Sequence, residues 1–134
     1  MTGTRVLVVE DDPSVRGLLQ TLLSAEGYDV STASDGLAGL VKAASTAPEL
    51  ILLDLMMPDL GGGRVLDELR SDPRFVDTPV LVVTGQQDAV PDMRELVGAA
   101  NVFLKPFAVA DLLYRVSEIT GGPDHGLPGQ RSEP

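Results

Sequence analysis

Residues 6–23 read VLVVEDDPSVRGLLQTLL, and the pattern changes period at its acidic centre. Val6 to Val9 is a continuous apolar run, which suits a strand covered on both faces, as in a parallel sheet. Val15, Leu18, Leu19, Leu22 and Leu23 then fall at i, i+3, i+4, i+7 and i+8, a single helical stripe. Asp12 is placed to cap that helix, Pro13 suits its first position, and Gly27 follows its last turn. A buried strand thus passes through three carboxylates into an amphipathic helix.

The same unit recurs outward from this stretch. Leu50 to Leu53, Val80 to Val83 and Val102 to Leu104 are further apolar runs, and Tyr28 to Thr32 is a weaker strand. Helical spacing separates them. Leu37, Leu40, Val41 and Ala44 form one stripe ending at Pro48, and Val65, Leu66 and Leu69 form a shorter one before Asp72 and Pro73. The segment from Asp88 to Gly98 is helical if Pro91 occupies its first turn, and Val109, Leu112, Val116 and Ile119 make a last helix stopped by Gly121 and Gly122. Strand and helix alternate five times, which short right-handed connections turn into an α/β domain built on a doubly wound parallel sheet. Residues 1–120 make that domain; residues 121–134, with seven Gly or Pro, read as a flexible tail or linker.

Composition narrows the chemistry. Ten Lys and Arg against twenty Asp and Glu leave a net charge of -10, which repels nucleic-acid backbones and anionic lipid surfaces. With no Cys, thiolate zinc sites and disulfides are excluded, and with a single histidine, His125, a multi-histidine metal site or a Ser-His-Asp triad has almost no material. No apolar run approaches the ~18 residues of a spanning helix, and the expected setting is cytoplasmic.

Ligands of open parallel sheets bind beyond the carboxyl ends of the strands. The strands here run out in Glu10, Asp11 and Asp12, in Asp54, in Thr84 and in Lys105. Carboxylates gathered there repel one another, by up to ~4 kcal/mol for a pair ~4 Å apart at an effective dielectric of about 20, unless a cation joins them. A few hard oxygen ligands suit Mg²⁺, while Lys105 and Thr84 suit the oxygens of a phosphoryl group. Asp12 is better read as a helix cap, Asp59 as a turn residue, the glycines 61–63 as a flexible loop, and Met56 and Met57 as packing side chains.

VVEDD at 8–12, DLMMP at 54–58, Thr84-Gly85 and Lys105-Pro106-Phe107, in this order and spacing, resemble the receiver domain of two-component response regulators over roughly residues 4–120. The resemblance implies a flavodoxin-like sheet with strand order 2-1-3-4-5. It implies a phosphoacceptor at Asp54, and Mg²⁺ held by Glu10, Asp11, Asp54 and the backbone carbonyl of Met56. It makes Thr84 the switch hydroxyl, Lys105 the phosphoryl-binding amine, and Pro106 a supporting residue after a cis peptide bond. Met56 and Gln86 match the positions that tune dephosphorylation. The implied protein is a signalling domain promoting only its own phosphotransfer and dephosphorylation. Its partners would be a histidine kinase or histidine phosphotransfer protein and an unidentified downstream effector, with neither direct nucleic-acid nor membrane binding.

The family usually carries an aromatic residue three positions before the lysine, where this chain has Val102. Adjacent strand residues face opposite ways, so Phe103 shares a face with Lys105 and cannot substitute. Two other readings are an Mg²⁺-dependent phosphatase working through an aspartyl phosphate, which wants an Asp-x-Asp pattern that Glu10-Asp11-Asp12 lacks, and a receiver acting unphosphorylated as a scaffold.

Overall fold

The fold is that of a computed structural model, which describes residues 3–57 and 59–122. Five strands alternate with five α-helices: β1 (Arg5–Val9), α1 (Pro13–Ala25), β2 (Asp29–Ala33), α2 (Gly36–Thr46), β3 (Leu50–Asp54), α3 (Gly62–Arg70), β4 (Val80–Thr84), α4 (Val90–Val97), β5 (Val102–Leu104) and α5 (Val109–Thr120). All pairings are parallel, and the strand order is β2-β1-β3-β4-β5. This is the flavodoxin-like arrangement, with the strand order reversing between β1 and β3.

Alternate residues of the apolar runs feed opposite faces of the sheet. Leu7, Val9, Ile51, Leu53, Val80 and Val82 pack with Val65, Leu66, Leu69 and Met93 from α3 and α4. Val6, Val8, Leu50, Leu52 and Leu81 pack instead with Leu19, Leu23, Leu112 and Val116 from α1 and α5. Every residue of β3 and β4 is buried, whereas the edge strands β2 and β5 are mostly half-buried, which is why Tyr28 to Thr32 carried the weaker strand pattern.

Capping follows the sequence at α1, where Asp12 accepts from the Ser14 N–H at 2.8 Å. Two expectations need correction. The buried side of α2 is only partly its stripe of larger residues: Leu40 packs against the core, but Leu37 and Val41 are 58% and 70% exposed, while Gly36, Gly39 and Ala43 are buried. The helix lies too close to the sheet for more, since a Cβ on Gly39 would stand 3.0 Å from both methyls of Val9. The glycine run is also not all loop. Gly61, at φ 78°, precedes α3, whose first turn contains Gly62 and Gly63 and opens with the Val65 N–H on the Gly61 carbonyl at 3.1 Å. Gly121 ends α5 in the left-handed conformation; the remainder of the expected tail beyond Gly122, with His125, lies outside the described residues, as does Pro58.

Candidate functional site

The carboxyl edge of the central strands places the site. Asp54 is the last residue of β3 and Thr84 the last of β4, while Glu10 and Lys105 stand one residue beyond β1 and β5. One carboxylate oxygen from each of Glu10, Asp11 and Asp54 lies within 4.8 Å of the others. Glu10 and Asp54 are only 2% exposed as residues, and Asp11 is the most open of the three.

Lys105 reaches this cluster from the end of β5. Its Nζ lies 3.4 Å from Glu10 Oε1 and 3.7 Å from Asp54 Oδ2. Three carboxylates against one ammonium leave two negative charges when all are ionised. Buried charge is tolerated only when neutralised or protonated, so the arrangement favours either a proton or a divalent cation. Hard oxygen donors with no nitrogen or sulfur among them fit Mg²⁺.

In the metal-free protein the proton takes that part. Burial, with the neighbouring Asp54 carboxyl, pushes Glu10 up from 4.5 to about 7, against the lowering effects of the Asp12 N–H and Lys105. The folded state therefore holds a proton between those values that the unfolded chain has lost. The associated stability is full at low pH and disappears as pH rises through about 7. Melting in EDTA is expected to occur at lower temperature at about pH 7.5 than at about pH 5.5, and Glu10→Gln should flatten this difference. Calorimetry across that window checks it; an unchanged slope in Glu10→Gln would assign the proton elsewhere.

Backbone groups fix the side chains. The Met56 N–H donates to Asp54 Oδ1 at 3.1 Å, and the Gln86 N–H donates to Thr84 Oγ1 at 2.9 Å. The Lys105 N–H donates to the Thr84 carbonyl at 2.7 Å, joining β5 to β4 at the site, and the Lys105–Pro106 bond is cis. The two methionines differ from the expectation that both pack: Met57 is buried in the core, whereas Met56 is 50% exposed, beside the site with exposed Gln86.

Val102 and Phe103 do face opposite ways. Val102 packs on the α3 and α4 side and lines a cleft of about 320 Å³ with Gln87, Val90, Pro91, Arg94 and Leu104. Phe103 packs on the α1 and α5 side, edge-on to Phe107 with ring centroids 6.0 Å apart.

Two supporting roles were not legible in the sequence. Arg16 donates from one guanidinium nitrogen to the carbonyls of Glu10, at 2.9 Å, and Asp11, at 3.3 Å. Asp59 is more than a turn residue: Oδ1 accepts from the Gly36 N–H at 2.9 Å and Oδ2 from the Leu37 N–H at 3.0 Å. An arginine in a helix has no local signature for gripping a preceding loop. The partners of Asp59 are in another element altogether.

A doubly wound parallel sheet with three acids and a lysine gathered at its carboxyl edge defines the class, a flavodoxin-like α/β domain with a charged site at its strand ends. The chain matches the response regulator receiver domain over residues 6–117, and it belongs to that family. It is 42% identical over 115 residues to the "DNA-binding dual master transcriptional regulator RpaA" of Synechocystis, covering 84% of this chain and 47% of that protein. The same identity relates it to "Response regulator MprA" of Mycobacterium bovis, covering 85% and 49%. The chain thus spans about half the length of these relatives. In structure it resembles the chemotaxis response regulator CheY4 of Vibrio cholerae, with a TM-score of 0.78, 30% identity, and coverage of 88% and 99%. Among the described residues no helix is long and apolar enough to cross a membrane.

Proposed function

We propose that Asp54 accepts a phosphoryl group from a phosphohistidine, on a histidine kinase or a histidine phosphotransfer protein, and that the resulting acyl phosphate alters a surface read by a downstream effector. The observation that carries this reading is the convergence on one buried carboxylate of two further acids from the end of β1 and a lysine from the end of β5. Glu10, Asp11, Asp54 and the Met56 carbonyl would hold Mg²⁺. That ion supplies charge neutralisation for the phosphoryl oxygens when bound.

In the transfer, a P–O bond to an Asp54 oxygen forms as the P–N bond breaks; the bonding pair stays on the imidazole nitrogen, and the ring leaves neutral when its other nitrogen is already protonated and otherwise takes a proton from solvent. The loose transition state of phosphoryl transfer asks the protein for alignment and positive charge. Asp54 needs no general base because it reacts as a carboxylate. The Met56 N–H holds one of its oxygens, which fixes the direction of the other. Lys105 places its ammonium where phosphoryl oxygens would arrive, and Thr84 offers a hydroxyl whose oxygen already accepts the Gln86 N–H. Met56 and Gln86, exposed beside the site, are positioned to govern water access and thereby the lifetime of the acyl phosphate. The reading places the chain in the cytoplasm with its kinase and, at a net charge of -10, away from direct contact with nucleic acid.

The test is incubation with Mg²⁺ and acetyl phosphate. Wild-type protein is expected to gain one phosphoryl group, labile to base and hydroxylamine. Lys105→Ala should still bind Mg²⁺ but acquire the label at least ~10-fold more slowly, since it loses a charge-assisted contact to the transferring group. Normal labelling of that variant would remove Lys105 from the site.

Val102 bears on how the signal leaves. It is too small and too stiff to fill a ring-sized space, and the cleft it lines is already open. The rearrangement on phosphorylation is therefore smaller than an aromatic ring at this position would allow, or is carried by the loop from Thr84 to Asp92. Amide shift changes restricted to that loop on adding beryllofluoride support this; changes along all of β5 that vanish in Val102→Ala would overturn it.

A further inference from the structure

We infer that Asp59 is a positioning residue for the phosphoacceptor, mooring the loop after β3 to the N-terminus of α2 so that the Met56 backbone is held against Asp54. The inference rests on the reading of Asp54, Glu10 and Asp11 given above and extends it to a residue outside the cluster.

A helix begins with N–H groups that have no partner within the helix. At α2 the Ala38 N–H is taken by Asp35 at 2.8 Å, an ordinary N-cap. The two preceding N–H groups, of Gly36 and Leu37, are taken by the two oxygens of Asp59, which lies 23 residues from Gly36. These hydrogen bonds hold the Asp59 carboxyl below its usual range, so it is ionised at neutral pH and suits the positive end of the helix.

The contact is also close-packed. A Cβ on Gly36 would stand 2.8 Å from Leu60 Cβ and 2.8 Å from a Val65 methyl, so the loop and the start of α3 rest directly on the α2 backbone. Leu60 itself packs against the core. The other end of the same short loop carries Met56, whose N–H grips Asp54 Oδ1 at 3.1 Å and whose carbonyl is the proposed metal ligand. Asp59 touches none of the reacting atoms. It holds the segment that does, as outer partners orient metal ligands elsewhere.

A control is built into the helix. Asp35→Ala removes a capping hydrogen bond from the same helix end but leaves the loop moored. Asp59→Ala is expected to weaken Mg²⁺ binding, followed by calorimetric titration, by about 10-fold, the low end of what loss of an outer partner costs a metal site. Asp35→Ala should lower the melting temperature in EDTA comparably yet bind Mg²⁺ within about twofold of wild type. Amide hydrogen exchange in EDTA gives a readout that needs no metal: the Met56 amide should exchange faster in Asp59→Ala and at the wild-type rate in Asp35→Ala, relative to each variant's global stability. By reciprocity, Mg²⁺ should slow exchange at Gly36 and Leu37 in the wild type. Unchanged Met56 exchange in Asp59→Ala, or equal Mg²⁺ weakening in both variants, would reduce Asp59 to a helix cap and overturn the inference. If wild-type Mg²⁺ binding proved indifferent to Asp11→Ala, the metal reading would fail, and the exchange arm in EDTA would still decide Asp59.

Discussion

Asp54→Asn is expected to take no detectable phosphoryl group from acetyl phosphate or from a phosphorylated kinase, with Mg²⁺ present throughout. An amide is neutral and its oxygen is a poor nucleophile, so the substitution removes the one feature the transfer requires. It changes almost nothing else. The side chain keeps its shape, and its oxygen can still accept the Met56 N–H that now reaches Asp54 Oδ1 at 3.1 Å. The attraction to Lys105 at 3.7 Å is lost, yet so is the repulsion with Glu10, which is itself 2% exposed. With burial pushing Glu10 toward protonation, one carboxylate fewer relieves the crowding. The variant should therefore fold and melt in EDTA no lower than the wild type, so that lost labelling cannot be ascribed to unfolding. Label retained in Asp54→Asn, on Glu10, Asp11 or any other side chain, would overturn the assignment of the acceptor.

The second large effect is expected from Asp11→Ala. A cation that binds only the folded state stabilises by mass action, about 1.4 kcal/mol at ten times its Kd, which for a domain of this size corresponds to roughly 5 °C in melting temperature. Wild-type protein should show that rise on addition of Mg²⁺, and Asp11→Ala should show almost none of it. Asp11 suits the test because it is the most open of the three acids, so its loss creates no core cavity. Its removal also takes a negative charge from beside Glu10 and Asp54, leaving the metal-free variant as stable as the wild type or more so. A full Mg²⁺ shift in Asp11→Ala would place the metal elsewhere.

Local pattern carried the architecture. Continuous apolar runs in β1, β3 and β4 announced strands buried on both faces, and the capped stripe of α1 announced a helix, because both periodicities follow from backbone geometry within a few residues. Chain order and right-handed crossovers did the rest, so Glu10, Asp11, Asp54, Thr84 and Lys105 could be named as strand-end residues before any coordinates. The opposed faces of Val102 and Phe103 were legible for the same reason.

Contacts between distant parts of the chain were not legible. The fully buried residues of α2 are its small ones, with Leu40 packed beside them, and no periodicity of Leu and Val could reveal that, because how closely a helix approaches a sheet is set by what lies across the gap, here Val9. The Asp59 carboxylate on the first amides of α2 and the Arg16 guanidinium on the Glu10 and Asp11 carbonyls depend on loops meeting in space. Residue type and spacing thus determined the fold class and the identities of the acids and the lysine. Their convergence to within 4.8 Å, the burial that pushes Glu10 to about 7, and the mooring of the Asp54 loop were decided by tertiary structure, since desolvation and long-range hydrogen bonds exist only once the chain has closed around them.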